Sequence, residues 1–215
     1  MSDQHDRISF RPMTAADVGL VPIGHQGDSD EVLQRIADLG ASAVLAFDGD
    51  QHVGQLQFRR YEPGTHSPQG LWDPLYWADF ADRAPALPAH TLAVFCYHVG
   101  QLDDTDAREP RYQGRGLGLS LLDYFLDWAI QAGFSAVVAK AVPPYRPVMK
   151  FMGGQPASVY QARGFEVAAA WIDPELRTIV EDRGLAPDGV SADDAARVSC
   201  CIRRLRDDSR GRAMQ

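Results

Sequence analysis

The chain has 215 residues, 45% of them hydrophobic, and a formal charge of −8 at neutral pH. That length supports one domain with a sizeable core, and the apolar content with four tryptophans excludes a disordered chain. The negative balance excludes a nucleic-acid partner, which needs a basic footprint, and no apolar run reaches the roughly 18 residues of a membrane span.

Met1–Arg11 is polar and charged, so no secretory leader is expected and the setting is read as cytoplasmic. Ile8–Pro12 reads as a first strand, and Thr14–Asp17 gives a capping-box start for a helix. A second helix is predicted over Asp30–Leu39, with Ser29 as cap and Gly40 as stop. Ala41–Phe47 and His52–Phe58 form a hairpin around Asp48-Gly49-Asp50. Residues 61–89 follow as a long, proline-rich insertion that holds Trp72, Asp73, Tyr76, Trp77 and Phe80. Asp73-Pro74 there is a helix-start pair, with Asp as cap and Pro at the first helical position. The aromatics suit a lid over a pocket, a homodimer contact or a local hydrophobic cluster.

His90–Leu102 is almost wholly apolar and is predicted as a central strand, followed by a solvated acidic excursion over Asp103–Glu109. Leu117, Leu121, Tyr124, Phe125, Trp128 and Ala132 recur at helical spacing until Gly133 stops the helix. Phe134–Val142 reads as a buried strand, and Pro143, Pro144 and Pro147 impose an irregular loop through Gly154. A short helix over Ser158–Arg163, strands over Phe165–Ile172 and Val198–Leu205, and a frayed tail over 206–215 complete the chain. Cys96, Cys200 and Cys201 make no disulfide framework, nothing has metal-ligand spacing, and no metal is expected.

The most informative segment is Arg111-Tyr-Gln-Gly114-Arg115-Gly116-Leu117-Gly118, which opens the long helix directly after the apolar strand and its acidic loop. Glycine admits backbone conformations that side chains forbid, and the first N–H groups of a helix lack intrahelical partners at its positive end. Together they form a cradle for phosphate oxygens. Neither the Rossmann glycine pattern nor a P-loop Gly-Lys-Ser/Thr fits the run. It reads R-x-x-G-x-G and resembles the pyrophosphate signature of the GCN5-related (GNAT) acyltransferases. Val159-Tyr160-Gln-Ala-Arg-Gly164-Phe165 resembles that family's Tyr-x-x-x-Gly-Phe stretch, in family order. The resemblance spans roughly Arg7–Leu205 and is similar in detail to a bacterial subgroup whose substrates are mostly unassigned.

This resemblance implies a single α+β domain with a GNAT-like fold: a central mixed sheet of about six to seven strands flanked by helices, with a splayed strand pair for acyl-CoA. It implies acetyl-CoA as co-substrate and an amine acceptor, small molecule or peptide. Arg111, Gln113, Gly114, Arg115, Gly116, Leu117 and Gly118 would hold the pyrophosphate, and the backbone of Tyr97 and Val99 the pantetheine. Tyr160 matches the tyrosine that protonates the departing thiolate. Where relatives carry an asparagine before that tyrosine, this chain has Gly153. For the general base, several relatives use a glutamate in the strand before the phosphate loop, and His90–Leu102 has no carboxylate. His98 has a suitable ordinary pKa; Asp73, Asp79 or a water chain are the alternatives. Trp72, Asp73 and Trp77 are candidates for the acceptor side. The expected activity is N-acetyl transfer by direct attack in a ternary complex. A non-catalytic acyl-CoA-binding regulatory module stands as the alternative.

Overall fold

In a computed structural model of the chain, residues 8–62, 80, 83, 86–105 and 107–205 are described. Trp72, Asp73, Trp77 and Asp79 lie outside the described residues, as do most of the 61–89 insertion and the 206–215 tail. The strands are β1 (Ile8–Pro12), β2 (Ala43–Asp48), β3 (Gln51–Arg60), β4 (Thr91–Val99), β5 (Ala136–Ala141), β6 (Glu166–Ile172) and β7 (Arg197–Arg204). The helices are α1 (Ser29–Leu39), α2 (Leu117–Gln131), α3 (Arg146–Met152), α4 (Ala157–Gln161), α5 (Pro174–Arg183) and α6 (Ala192–Ala195). The strands form one seven-stranded mixed sheet in the order β1-β2-β3-β4-β5-β7-β6, which is the α+β sheet expected from the sequence. No helix among the described residues is long and apolar enough to cross a membrane.

Two compact units share the chain, and β4 passes from one to the other between Ala93 and Val94. The first takes the described residues of Met1–Arg59 and Val94–Trp128. Its hairpin is antiparallel, with Val44 opposite Leu56 and Asp48 opposite Gln51, and a register shift between Ala46 and Phe47. Met13, Val21, Val32, Ala43 and Leu45 make one core cluster there. Phe58 meets Phe125 and Trp128 of α2 with ring centroids 4.8 and 4.9 Å apart, which seats the apolar stripe of that helix. Thr14–Asp17 forms a single 3-10 turn, not the expected helix. The box is present, but the Asp17 carboxylate also takes Arg11 at 2.5 and 2.7 Å, and the chain turns extended at Val18. Arg11 and the Thr14 N–H and hydroxyl hold the Asp17 carboxyl down at about 2.

The second unit takes the described residues of Arg60–Thr65, Ala78–Ala93 and Ala129–Gln215. Here β7 pairs antiparallel with β5 and β6, placing Val138 opposite Ile202 and Val167 opposite Cys201. Tyr61, Phe80, Ala93, Val138, Cys200 and Ile202 form its core cluster, with Trp171 packed against them. Cys200 and Cys201 are both buried, and desolvation pushes each thiol up to about 12, so they serve as packing. The Pro-rich loop after β5 contains α3, a correction to the irregular segment expected, because Pro147 sits in the first turn, where no N–H is required. Asp173 caps α5 by accepting from the Glu175 and Leu176 N–H groups at 3.1 Å.

The same Asp173 accepts from Lys140 Nζ at 2.6 Å, with both side chains under a tenth exposed. Removing one member of a buried pair strands the other, whereas replacing both costs far less. Lys140→Ala should therefore lower the unfolding free energy by about 3 kcal/mol in urea titrations. Lys140→Met combined with Asp173→Asn should recover most of that loss.

Candidate functional site

The turn entering α2 is built from backbone. Gly114 and Gly116 hold φ of +69° and +81°, in the left-handed region that favours glycine. A Cβ built on either meets nothing within 4 Å, so the space above the turn is open. Leu119 and Ser120 N–H both return to the Gly116 carbonyl at 2.9 and 3.0 Å, which starts the helix at that residue. Gln113, Gly114, Arg115 and Gly116 are exposed, while Leu117 and Gly118 are buried and anchor the turn. Arg111 donates to Gln51 Oε1 at 3.1 Å and lies over the Tyr112 ring at 4.7 Å. Tyr112 in turn donates to Asp48 Oδ2 at 3.0 Å. The cradle is thereby tied to the β2–β3 hairpin.

Behind the cradle, the acidic excursion is cinched at its neck. Glu109 N–H donates to the Gly100 carbonyl at 2.7 Å, and Gly100 N–H to the Val53 carbonyl at 2.8 Å. Gly54 makes a close approach possible: a Cβ there would lie 2.8 Å from the His98 carbonyl oxygen and 3.5 Å from Leu117 Cδ2. Tyr97 is buried and Val99 half-buried on this stretch of β4.

His98 lies beside Cys96, two positions earlier on β4, and beside His25, which the sequence did not place near it. His25 Nδ1 is 3.3 Å from Cys96 Sγ, and the His25 and His98 ring centroids are 4.8 Å apart. Gln57 carries the loop that delivers His25: its Oε1 accepts from the His25 N–H at 3.2 Å and its Nε2 donates to the Ile23 carbonyl at 3.0 Å. Gln55 Nε2 donates to the Pro22 carbonyl at 2.7 Å, and Asp104 Oδ1 accepts from the Ile23 N–H at 2.8 Å. Alternate residues of β3 thus clamp one loop.

Arg108 Nη2 sits 3.2 Å from His98 Nδ1. A guanidinium only donates, so Nδ1 accepts and the ring proton belongs on Nε2. That Nε2 is buried with no hydrogen-bond partner among the described residues. Desolvation first, then the neighbouring His25 and Arg108 charges, hold the His98 pKa well below its ordinary value. The ring is neutral at physiological pH, but its basic lone pair is engaged, which favours a structural imidazole over the expected proton acceptor. Desolvation also pushes the Cys96 thiol up to about 12, so it is no thiolate nucleophile.

In the second unit, Tyr160 lies on α4 at 1% exposure and meets Phe165 edge-on at a centroid distance of 5.2 Å. Gly153, where an asparagine was expected from the resemblance, is the left-handed cap of α3 at φ 60°. The candidate acceptor residues Trp72, Asp73 and Trp77 are outside the described residues.

Residues 20–153 match the model of the acetyltransferase (GNAT) family. No curated protein sequence matches the chain. Among solved structures, the yncA protein of Salmonella typhimurium, crystallised with its cofactor acetyl-CoA, aligns at a TM-score of 0.51 and 15% identity. That alignment covers 93% of this chain and 95% of that one. An N-acetyltransferase from Staphylococcus aureus Mu50 aligns at a TM-score of 0.51 and 12% identity, over 93% of this chain and 99% of that one. At such identity these likenesses speak for the fold.

The close approach at Gly54 gives a direct test of the frame. Gly54→Ala puts a methyl against backbone rather than a mobile side chain, so β4 must shift. Urea unfolding should show a loss of about 1–3 kcal/mol, the range for overpacking.

Proposed function

The chain belongs to the GNAT acetyltransferase family, and on that premise we propose that it transfers an acetyl group from acetyl-CoA to a primary amine. The observation that carries the reading is the open turn of Gly114 and Gly116 at the start of α2. Left-handed glycines and a helix N-terminus offer converging N–H donors to a pyrophosphate. Arg115 and Arg111 add charge at its rim. The β4 backbone at Tyr97 and Val99 is the proposed partner of the pantetheine amides.

The thioester is already activated, so the protein must position the amine, stabilise the oxyanion and manage two protons. In the proposed reaction the neutral amine attacks the thioester carbonyl directly. The tetrahedral adduct collapses with cleavage of the C–S bond, and the departing thiolate takes a proton from the Tyr160 hydroxyl. A phenol, with an ordinary pKa near about 10, is matched to a thiolate. Because the His98 lone pair faces Arg108, we assign removal of the amine proton to solvent rather than to His98. The acceptor class follows from the family alone and stays at a primary amine, small molecule or peptide.

Acetyl-CoA should raise the melting temperature of the wild type by mass action. Gly116→Asp places a side chain at positive φ and a negative charge in the cradle, so the shift should vanish. Equal shifts in both proteins would remove the cradle from the reading.

Tyr160→Phe keeps the ring and deletes only the hydroxyl. With an active amine, kcat should fall roughly 10²–10⁴-fold, the usual worth of a general acid, with acetyl-CoA affinity little changed. A lowered melting temperature with near-normal kcat would instead make Tyr160 a packing residue. Binding of acetyl-CoA with no turnover against a broad amine panel would favour the regulatory module.

A further inference from the structure

His25, Cys96 and His98 each offer one ligand atom, and the three atoms lie within 4.8 Å of one another. They come from a loop and from alternate positions on β4, all inside the first unit. We propose that this trio binds a thiophilic d¹⁰ cation, Cu⁺ or Zn²⁺, through two imidazoles and one thiolate. The site is not part of the acetyl-transfer reading and does not depend on it.

Three features of the structure support the assignment. The donor set is one soft sulfur and two imidazoles, which selects copper and zinc over the oxygen-seeking cations. The His25 Nδ1–Cys96 Sγ separation of 3.3 Å already suits two ligands of one ion. With metal–nitrogen bonds near about 2.0 Å and metal–sulfur bonds near about 2.3 Å, ligand atoms stand about 3.3–3.8 Å apart. The two edges to His98 are no longer than 4.8 Å, so each needs a closure of at most about 1–1.5 Å to reach that range. Finally, His98 Nε2 is a buried ring nitrogen with no partner among the described residues, on a side chain 1% exposed. A buried polar atom left without a partner costs about 1–3 kcal/mol, and once the ring proton has moved to Nδ1 a cation would satisfy Nε2.

Binding requires two proton movements. Cys96 gives its thiol proton to solvent as the sulfur–metal bond forms. The His98 proton passes from Nε2 to Nδ1, so Arg108 must turn aside and another group must accept. Gln101 is proposed for that role, since its Oε1 is buried with no hydrogen-bond partner among the described residues. Charge orders the two ions. A thiolate and two neutral imidazoles leave Cu⁺ neutral and Zn²⁺ with one positive charge, beside the Arg108 guanidinium. No fourth His, Cys, Asp or Glu joins the cluster among the described residues, which also suits three-coordinate Cu⁺ better than tetrahedral Zn²⁺.

The test is a titration of the purified full chain, without acetyl-CoA. Cu⁺ under anaerobic conditions and Zn²⁺ are each competed against a chromogenic chelator, with Co²⁺ as a spectroscopic stand-in for a thiolate ligand. The expected result is one equivalent bound, a thiolate-to-cobalt charge-transfer band, and a preference for Cu⁺. Cys96→Ser and His25→Ala should each weaken binding more than about 100-fold, beyond what loss of an outer-shell partner costs. Circular dichroism and melting of the metal-free variants establish that they fold; His25 is half-exposed, so its variant remains informative if Cys96→Ser does not fold. A Cys200→Ala, Cys201→Ala double variant should bind as the wild type does. Absence of the band in folded wild type, equal affinity in His25→Ala, or loss of binding in the Cys200, Cys201 double variant would each overturn the site.

Discussion

The first unit depends on a buried polar clamp. Gln55 and Gln57 occupy alternate, fully buried positions of β3, where an apolar residue would ordinarily sit. Their amides hold the Pro22 and Ile23 carbonyls and the His25 N–H. A loop carrying two positive-φ glycines, Gly24 and Gly27, has no ladder of its own to satisfy these groups. The glutamines supply the missing partners, and the loop is fixed against β3 and β4 as firmly as a strand. Gly24 is required by that fit, since a Cβ there would fall 2.3 Å from Gln57 Nε2 and 3.0 Å from His98 Nε2. The contact between the His25 and His98 rings follows from this clamp.

What the sequence made legible is local. The glycine turn, the long helix after it and the flanking strands each lie within one continuous stretch, so glycine spacing and hydrophobic period are enough to place them. The hairpin was legible for the same reason. The His25–Cys96–His98 cluster was not, because His25 is 73 positions from His98 and reaches it through side-chain bonds from Gln55, Gln57 and Asp104 to its loop. The available signal was the pair of glutamines inside an apolar strand, a polar side chain needing a buried partner.

Helices at proline-bearing segments show a different limit. Asp173-Pro174 carries the same cap-and-proline pair as Asp73-Pro74, yet α5 is not legible in the sequence, because its exposed face dilutes the apolar period between Leu176 and Val180. Pro147 reads from the sequence as a breaker, although a proline in a first turn breaks nothing. Thr14–Asp17 erred the other way. A capping box marks where a helix begins and says nothing about length, and here the competing Arg11 pair and extended Val18 limit it to one turn.

The acidic balance of the chain and its proposed polyanionic cofactor are compatible because recognition is short-ranged. Charges farther than about 8–10 Å apart are largely screened at physiological ionic strength. The groups that count are those at the turn itself. Arg111 is already engaged there, donating to Gln51 and stacked on Tyr112, so a phosphate would have to compete for it. The space above Gly114 and Gly116 is open, since a Cβ built on either meets nothing within 4 Å. Preorganised N–H donors need no side-chain ordering on binding, whereas a long arginine loses rotamer freedom. In the proposed reading, pyrophosphate affinity therefore rests on the backbone of the turn first and on its arginines second, and the net charge of −8 leaves it largely untouched.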